Sequence, residues 1–421
     1  MIRYEDSVFK SRKQFEKIKY PVEKNLVRGI AHEDKQIVVF ENLDNKIMTC
    51  YSSEGIVECT VETYKNARKK PRSSPIIFVR KPKDYDSMKT FYEDHIKTAD
   101  ELKLISADHI NLYQTGRIEK ACLKLFYDLI GPVYPQQITN SEFQYLKNAS
   151  MGGLIFAKKY KGPGYKYDIN SFYPSLMHRS HDVVVPLTEG ESYTLTDEYI
   201  NLCIEDTKSF EVGIYNIELI GDNILFRKNP TNHYTHIELK FALCTLKFKY
   251  RLIKDKDNAM IWKRSNCTHG CKIFKKYIDL LYPMKKAGKK YVKPMLNKLW
   301  GVLCQTNTFT KIFSYDDDLP DHQNIISMIR VDNGLKIEYY ESHKPYETDF
   351  ARMKPFILAK SRVKIAEMML PYIDDIHRCH TDGFISSKEL PFILNDELGG
   401  MKLEGKSKNI HIKNCNTVIG F

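Results

Sequence analysis

The segment with the clearest structural meaning is Tyr167-Asp168-Ile169-Asn170-Ser171-Phe172-Tyr173-Pro174-Ser175-Leu176-Met177. Asp168 closes a short apolar strand, and Tyr173 follows five residues later, directly before a Pro-Ser pair. A carboxylate at the end of a rigid strand is held in a defined position, and a tight turn after the strand keeps the tyrosine near it. The segment therefore predicts a chemical centre built on Asp168, provided that suitable partners occur downstream.

A second segment, Lys293-Pro294-Met295-Leu296-Asn297-Lys298-Leu299-Trp300-Gly301, belongs to a basic region. Lys285, Lys289, Lys293 and Asn297 recur every four residues, so on one helix they would form a slowly drifting basic stripe that ends in an amide. Such a stripe could hold a triphosphate. Pro294 inside a helix would cost about 3 kcal/mol. It would instead fit the first turn of a new helix that starts near Lys293. A solvated lysine face is the alternative reading.

A third segment, Arg378-Cys379-His380-Thr381-Asp382-Gly383-Phe384-Ile385, predicts a strand, a turn and a second strand. The turn would expose Asp382 while both strands stay buried. Helical spacing predicts a helix over residues 354–370, ahead of this hairpin, that can pack on a sheet. An ordinary hairpin turn is the alternative, since Asp-Gly is a common turn pair.

Taken together, the three segments favour chemistry over three unrelated local structures. Two strand-end acids, Asp168 and Asp382, bracket a lysine-rich helical region. Phosphoryl transfer with two metal ions needs carboxylates that bridge ions about 3.5–4 Å apart, and cations that bind the triphosphate. One ion would lower the pKa of the attacking hydroxyl, and the other would stabilise the leaving pyrophosphate.

The composition is that of a globular protein with a polyanionic partner. The chain has 421 residues, 42% of them hydrophobic, which is enough for two or three domains. The net charge of +12 favours a polyanion, and 27 tyrosines offer faces on which bases can stack. Helical spacing also predicts helices at residues 84–104 and 118–129.

The ten cysteines and the lengths of the apolar runs indicate the cellular compartment in which we expect the protein. Only Cys267 and Cys271, which flank His269, are closely spaced, and no second cysteine pair completes a zinc site. Reduced thiols are therefore the preferred interpretation. The N-terminus has no apolar signal core, and no apolar run approaches membrane length. We expect an intracellular, reducing compartment and no membrane partner.

The chain resembles the family B DNA polymerases, especially the viral, plasmid and transposon branch that includes protein-primed enzymes. Residues 168–175 are similar to the family's first motif, DxxSLYPS, and residues 293–301 to the second, KxxxNSxYG. Residues 380–383 are similar to the third, DTDS, and Ser150-Met151-Gly152-Gly153 to the YxGG segment. The resemblance covers roughly residues 110–420, with the family's order and spacing.

The resemblance implies an α+β, right-hand polymerase. It has an antiparallel palm sheet, helical fingers, a reduced or absent thumb and an N-terminal, degenerate exonuclease-like domain. The implied domains are residues 1–135 (exonuclease-like), 136–254 (first part of the palm), 255–303 (fingers) and 304–421 (second part of the palm with a short thumb remnant).

The resemblance also implies roles for individual residues. Asp168 and Asp382 would hold two Mg²⁺ ions, for which Mn²⁺ can substitute, with help from the Ile169 carbonyl. Tyr173 would lie under the sugar, where its ring excludes a 2′ hydroxyl. The other residues expected to bind the incoming nucleotide are Ser171, Lys289, Lys293, Asn297, Trp300 and Gly301. Those expected to contact nucleic acid are Gly152, Gly153, Lys402 and Lys413.

The sequence departs from the family at several positions. His380 replaces the first acid of the third motif, while Asp382 keeps the acid that binds metal. Where the exonuclease needs Asp-x-Glu and Tyr-x-x-x-Asp, the nearest equivalents are Val39-Phe40-Glu41 and Tyr113-Gln114-Thr115-Gly116-Arg117. We therefore expect an inactive exonuclease. After Asp382 the chain runs only to Phe421, from which we expect a missing thumb and low processivity.

These observations predict a DNA-directed DNA polymerase that replicates a virus or mobile element. Its partners would be template and primer nucleic acid and deoxynucleoside triphosphates, with a terminal priming protein left open. One alternative is a decayed, non-catalytic protein that only binds nucleic acid, motivated by His380 and the short C-terminus. Another is a primase-like or RNA-copying polymerase.

Overall fold

The protein is described here by a computed structural model that covers residues 2–3, 34–42, 47–68, 76–179, 183–253, 257–289, 291–341 and 343–421. The chain divides into two compact units. The first comprises Met1–Leu129 and Ala287–Lys298, and the second comprises Ile130–Lys286 and Leu299–Phe421. The segment that we expected to form the fingers, residues 255–303, is therefore shared between the two units.

A five-stranded mixed sheet forms the centre of the first unit. Gln36–Asn42 lies antiparallel to Ile47–Ser52 and parallel to Ile76–Arg80. The run Ile37, Val38 and Val39 is fully buried, which explains why this strand is apolar without alternation. The strands, in their order across the sheet, are Ile2–Arg3, Gly55–Thr60, Ile47–Ser52, Gln36–Asn42 and Ile76–Arg80.

The helices of the first unit agree with the sequence spacing. The helix predicted at 84–104 starts later, at Met88, because the Ser87 side chain accepts a hydrogen bond from the Thr90 N–H and caps the helix there. The helix predicted at 118–129 is confirmed as Ile118–Ile130. Among the residues before 130 that the structure describes, the helices are Val61–Arg68, Met88–Ile105, Leu112–Thr115 and Ile118–Ile130.

A six-stranded sheet in the second unit is antiparallel between all its neighbours. Its order is Thr417–Ile419, Met401–Asn414, Tyr160–Ile169, Gly383–Ser386, Ile376–His380 and Ile155–Ala157. Asp168 lies on the third strand of this order, and Asp382 lies in the turn between the fourth and fifth. The acids from the first and third sequence segments thus belong to one sheet.

Three smaller sheets complete the strands of the second unit. One has the order His233–Thr235, Gly213–Ile220, Ala259–Ile261 and Glu191–Tyr193, with Lys249–Leu252 also paired to Gly213–Ile220. A second joins Val184–Pro186 to Cys267–His269. The third has the order Thr308–Phe313, Gly334–Tyr340 and Ile325–Val331.

The helix Lys354–Met369 confirms the helix predicted at 354–370, and most of its side chains are buried. Other helices lying wholly or partly in the second unit are Asn140–Ala149, Phe172–His178, Asp197–Ile204, His236–Leu239, Gly270–Lys286 and Val292–Leu303. Lys240–Thr245 is a π-helical turn, and short 3₁₀ turns occur at Arg264–Asn266, His322–Asn324, Asp349–Met353 and Leu370–Tyr372. None of the helices that the structure describes has the length and apolar character needed to cross a membrane.

A buried ion pair between Glu142 and Arg352 anchors the interior of the second unit. Both side chains are completely buried, and the Arg352 guanidinium donates to the two Glu142 carboxylate oxygens at 2.8 and 2.7 Å. Trp262 donates its indole N–H to the same carboxylate at 3.2 Å, and Arg352 also donates to the Gln137 carbonyl at 3.0 Å. Because the charges are paired and hydrogen-bonded, their burial is compatible with a stable core.

Candidate active site

Asp168 lies next to the end of the strand Tyr160–Ile169, as the sequence predicted. It is opposite Gly383 on one neighbouring strand and opposite Lys402 on the other. A strand hydrogen-bonded on both sides cannot move far, so the backbone of Asp168 is held firmly.

Asp382 lies in the predicted turn between the strands Ile376–His380 and Gly383–Ser386. Its backbone N–H donates to the His380 carbonyl at 2.8 Å, and its own carbonyl accepts the Ile169 N–H at 2.9 Å. The second of these bonds ties the turn directly to the residue after Asp168. The expectation that both acids sit at one place in the fold is therefore met.

Gly383 makes this close approach possible. A Cβ atom at this position would lie 2.7 Å from the Tyr167 carbonyl oxygen and 3.2 Å from a carboxylate oxygen of Asp168. Any larger residue would push the turn away from the strand. The Asp-Gly pair, common in ordinary turns, thus has a packing reason here.

The electrostatics of Asp168 indicate a concentration of negative charge. Burial, followed by the charges of Asp382 and Glu404, raises the pKa of Asp168 to about 6, although Lys166 and Lys402 act in the opposite direction. A cavity of about 200 Å³ lies beside these groups. Its lining includes Lys166, Asp168, Arg378, His380, Asp382 and Glu404.

The residues present fit a magnesium site. Mg²⁺ is usually bound through one or two carboxylates, with water and substrate phosphates completing its shell. Asp168 and Asp382 supply two carboxylates, and a divalent cation would relieve the repulsion from Asp382 that, after burial, raises the pKa of Asp168. Within the described part of the chain, no group of three or more His, Cys, Asp or Glu side chains is placed to hold a metal by itself.

Tyr173 and Trp300 are brought together from distant parts of the sequence. Their rings stack with centroids 5.0 Å apart and planes inclined by 24°. The Ser361 hydroxyl lies 3.5 Å from the Tyr173 hydroxyl and donates to it, and burial raises the pKa of Tyr173. The first and second sequence motifs thus meet through these two rings.

The basic stripe predicted on one helix is wrong. The helix Gly270–Lys286 ends one residue after Lys285, and a separate helix, Val292–Leu303, follows. Gly288 between them has a φ of +78°, which no continuous helix allows. Pro294 lies in the first turn of the new helix, where its missing N–H costs nothing.

The remaining nucleotide-binding candidates are distributed as follows. Lys289 pairs with Glu101 at 2.9 Å, whereas Lys293 and Asn297 are exposed on the helix Val292–Leu303. These three residues belong to the first unit, whereas Asp168, Asp382, Ser171, Trp300 and Gly301 belong to the second. A Cβ on Gly301 would meet open space. The phosphate-binding and base-pair roles stay predictions.

Gly153 lies beside the turn that carries Asp382, and Gly152 precedes it in the sequence. A Cβ on Gly153 would lie 2.8 Å from the Thr381 hydroxyl, so this glycine is needed for packing against the residue that precedes Asp382. Arg362 donates to the Gly152 carbonyl at 2.8 Å. Of the basic candidates on the strand Met401–Asn414, Lys413 is exposed. The ammonium of the other, Lys402, lies 3.6 Å from a carboxylate oxygen of Asp396. Their contacts with nucleic acid stay predictions.

Two residues near the site, Glu404 and Asn170, had no predicted catalytic or nucleotide-binding role, whereas Lys285 was predicted only as a member of the basic stripe. The charge of Glu404 contributes to the raised pKa of Asp168, and the Glu404 carboxylate pairs with the Lys166 ammonium at 2.9 Å. Lys285 and Asn170 hydrogen-bond at 2.8 Å. Asn170 stands inside the first segment, two residues after Asp168, and that position was the only signal in the sequence. Nothing in the local pattern pointed to Glu404.

The exonuclease equivalents in the first unit are engaged in other contacts. Val39 is fully buried, and Glu41 forms an ion pair with Lys81. The Tyr113 hydroxyl donates to Asp100 at 2.5 Å. The loss of exonuclease activity stays a prediction.

Comparison with known proteins places the chain in a family. Residues 83–370, well over half of the chain, match the family described as DNA polymerase type B, organellar and viral. No curated protein matches the chain in sequence.

Solved structures of Phi29 DNA polymerase share the fold. In the complex with single-stranded DNA the identity is 18% and the TM-score is 0.55, and the match covers 89% of this chain and 70% of that one. The binary complex with primer-template DNA has 17% identity, a TM-score of 0.53 and the same coverage. The ternary complex with incoming nucleotide gives the same values as the binary complex. The chain belongs to the organellar and viral type B DNA polymerases, and its mixed helices and sheets form a polymerase fold.

Proposed function

We propose that the chain is a DNA-directed DNA polymerase that adds deoxynucleoside triphosphates to a primer 3′ hydroxyl and releases pyrophosphate. The observation that carries this proposal is the meeting of Asp168 and Asp382 at one end of an antiparallel sheet, joined by the bond from the Ile169 N–H to the Asp382 carbonyl. Family membership supports the same activity.

Asp168 and Asp382 would hold two Mg²⁺ ions, with the Ile169 carbonyl as a further ligand. When bound, the ions lower the pKa of the 3′ hydroxyl and stabilise the leaving pyrophosphate. The carboxylates hold no proton when they bind metal, so Asp168, whose pKa is about 6, is ready for this role at neutral pH. The ring of Tyr173, which stacks on Trp300, lies against the sugar of the incoming nucleotide and excludes a 2′ hydroxyl. Ser171 and Gly301 are the other nucleotide contacts that we propose within the second unit.

The parts of the fold have corresponding roles in this proposal. The six-stranded sheet is the palm, and the helices Gly270–Lys286 and Val292–Leu303 are the fingers. The sheet of the first unit is an exonuclease-like domain without its metal-binding aspartates, and hence inactive. Phi29 DNA polymerase has been solved with primer-template DNA and incoming nucleotides, which supports the same partners for this chain. Free thiols at all ten cysteines favour a reducing intracellular setting.

Primer extension tests this function directly. With Mg²⁺, a DNA template and all four deoxynucleotides, the wild type should extend a DNA primer, and Asp168→Asn and Asp382→Asn should reduce extension to background. Asp332→Asn, which changes an exposed acid in a distant turn, is the matched control and should retain full activity. Full activity in either active-site variant would contradict the proposal.

Parallel reactions separate the alternatives. Extension on an RNA template but not on a DNA template would favour an RNA-copying enzyme. Synthesis without a primer would favour a primase-like enzyme. DNA binding by a wild type that extends nothing would favour a non-catalytic replication protein. Adding a terminal protein in place of the DNA primer tests protein priming.

A further inference from the structure

Asn170 is a hub of hydrogen bonds inside the segment that carries Asp168 and Tyr173. It is only 5% exposed. Its backbone N–H donates to the Gly400 carbonyl at 2.9 Å, and its side-chain amide donates to the Asp396 carbonyl at 2.8 Å. Its carboxamide oxygen accepts a bond from the Lys285 ammonium at 2.8 Å. A buried side chain so fully satisfied fixes the position of the backbone on both sides of it.

Ser171, the next residue, has a backbone conformation that needs support. Its φ of 50° and ψ of 56° lie in the left-handed region, which is unfavourable for a residue with a side chain. It precedes the helix Phe172–His178, yet its side chain makes no capping bond to that helix. The hydroxyl instead accepts a hydrogen bond from the Lys285 ammonium at 2.5 Å.

Lys285 therefore bonds two successive side chains of the turn between Asp168 and Tyr173. It stands near the end of the helix Gly270–Lys286, and Tyr282, one turn earlier, contacts the same place. The Asn170 amide also donates to the Tyr282 hydroxyl at 2.5 Å, and that hydroxyl donates to the Asp396 carbonyl at 2.8 Å. The ammonium of the next lysine, Lys286, instead pairs with a carboxylate oxygen of the exposed Glu397, 2.9 Å away.

We propose that Lys285 and Asn170 form a clamp that positions the turn at Ser171, and through it the ring of Tyr173, for nucleotide selection. Neither residue would touch the reacting atoms, so both are positioning residues. The proposal rests on the polymerase function proposed above. It predicts that loss of the clamp lets the tyrosine ring shift, so that correct nucleotides bind less well and sugar discrimination weakens.

Single-nucleotide insertion kinetics test the clamp with Lys285→Met, with Lys286→Met as the matched control. For Lys285→Met, we expect KM for the deoxynucleotide to rise about tenfold, as the loss of a charge-assisted hydrogen bond predicts. We also expect a several-fold loss of discrimination against ribonucleotides. Lys286→Met should keep both values of the wild type, and Lys285→Arg should restore part of the loss.

The melting temperature of each variant separates positioning from general stability. A purely structural role would lower the melting temperature and kcat of Lys285→Met and leave KM and sugar discrimination unchanged, which would overturn the clamp. Asn170→Ala should show the same change in KM and in sugar discrimination as Lys285→Met. Wild-type KM and sugar discrimination in Asn170→Ala would also overturn the clamp. A wild type that extends no primer would contradict the polymerase function itself. If the wild type and the Lys286→Met variant are both active, the polymerase function is supported whatever the result for Lys285→Met.

Discussion

At the scale of single residues, Asp168 is a carboxyl group whose ionisation is unfavourable in the folded protein. Partial burial and the neighbouring charges of Asp382 and Glu404 raise its pKa to about 6. The folded protein then binds the Asp168 proton more tightly than the unfolded chain does. Ionised Asp168 consequently opposes folding above pH 6, and this penalty disappears as the pH falls below about 4, the ordinary value for the free side chain.

Asp168→Asn should therefore stabilise the metal-free protein at pH 7.5. The gain should be about 1 kcal/mol at most, because the side chain is only partly buried and water screens the charges. Thermal unfolding of both proteins in EDTA checks this. The variant should unfold at a higher temperature than the wild type at pH 7.5, and this difference in melting temperature should shrink at pH 4. Added Mg²⁺ should stabilise the wild type and not the variant. An equal difference at both pH values would contradict the origin assigned to the pKa.

Tyr173 gives a second prediction at this scale. Tyr173→Val should increase ribonucleotide incorporation about tenfold or more, because removing the ring opens space for a 2′ hydroxyl. Tyr173→Phe keeps the ring and its stacking on Trp300, so its sugar selectivity should stay close to that of the wild type. Insertion assays with matched ribo- and deoxynucleotides measure both. Unchanged selectivity in the valine variant would remove Tyr173 from sugar recognition.

At the scale of elements, the turn that carries Asp382 depends on the segment before the strand Ile155–Ala157. Thr381 has a φ of 64°, an unfavourable value for a β-branched residue, and its N–H donates to the Leu154 carbonyl at 2.9 Å. A Cβ on Gly153 would lie 2.8–3.1 Å from three atoms of the Thr381 side chain. The position of Asp382 is thus set by a neighbouring segment as well as by its own hairpin.

Gly153→Ala should lower both stability and primer extension, since the added methyl group must displace Thr381. We expect a loss of roughly 1–3 kcal/mol from this overpacking. Gly152→Ala is the matched control for stability, because its added Cβ would approach only the flexible end of Arg227, at 3.2 Å. Urea unfolding of both variants gives the comparison, and primer extension is measured for Gly153→Ala against the wild type. Equal effects of the two substitutions would show that the contact with Thr381 is unimportant.

At the scale of the whole molecule, the second unit owes part of its stability to the buried pair of Glu142 and Arg352. The Glu142 carboxylate also accepts hydrogen bonds from Trp262 and from the Gly190 N–H, at 3.2 and 3.1 Å. This one acid therefore links residues that are far apart in the sequence. Removing either charge would leave the other buried without its partner.

Arg352→Met should accordingly cost about 3–5 kcal/mol of unfolding free energy. Lys263→Met breaks an exposed pair with Glu191, 2.6 Å apart, and should cost at most about 1 kcal/mol. Urea denaturation of both variants measures the difference. A similar, small loss in each would mean that Arg352 is dispensable for the stability of this unit.

The sequence by itself determined the local frame of the site. The strand that carries Asp168, the hairpin with Asp382 at its turn, and the helix before that hairpin were readable, since strand alternation, turn residues and helical spacing act over a few residues. The family motifs followed from the same short segments. The helix stripe failed because a four-residue spacing cannot show where one helix stops and the next begins.

Only the tertiary structure decided which distant groups meet. Lys285 donates a hydrogen bond to Ser171, Trp300 stacks on Tyr173, and the charge of Glu404 acts on Asp168. Lys289, expected to bind the incoming nucleotide, pairs with Glu101. Such contacts depend on strand register and on the packing of whole elements, and no local spacing encodes them. The identity of the acids is thus a property of the sequence, while their charge environment is a property of the fold.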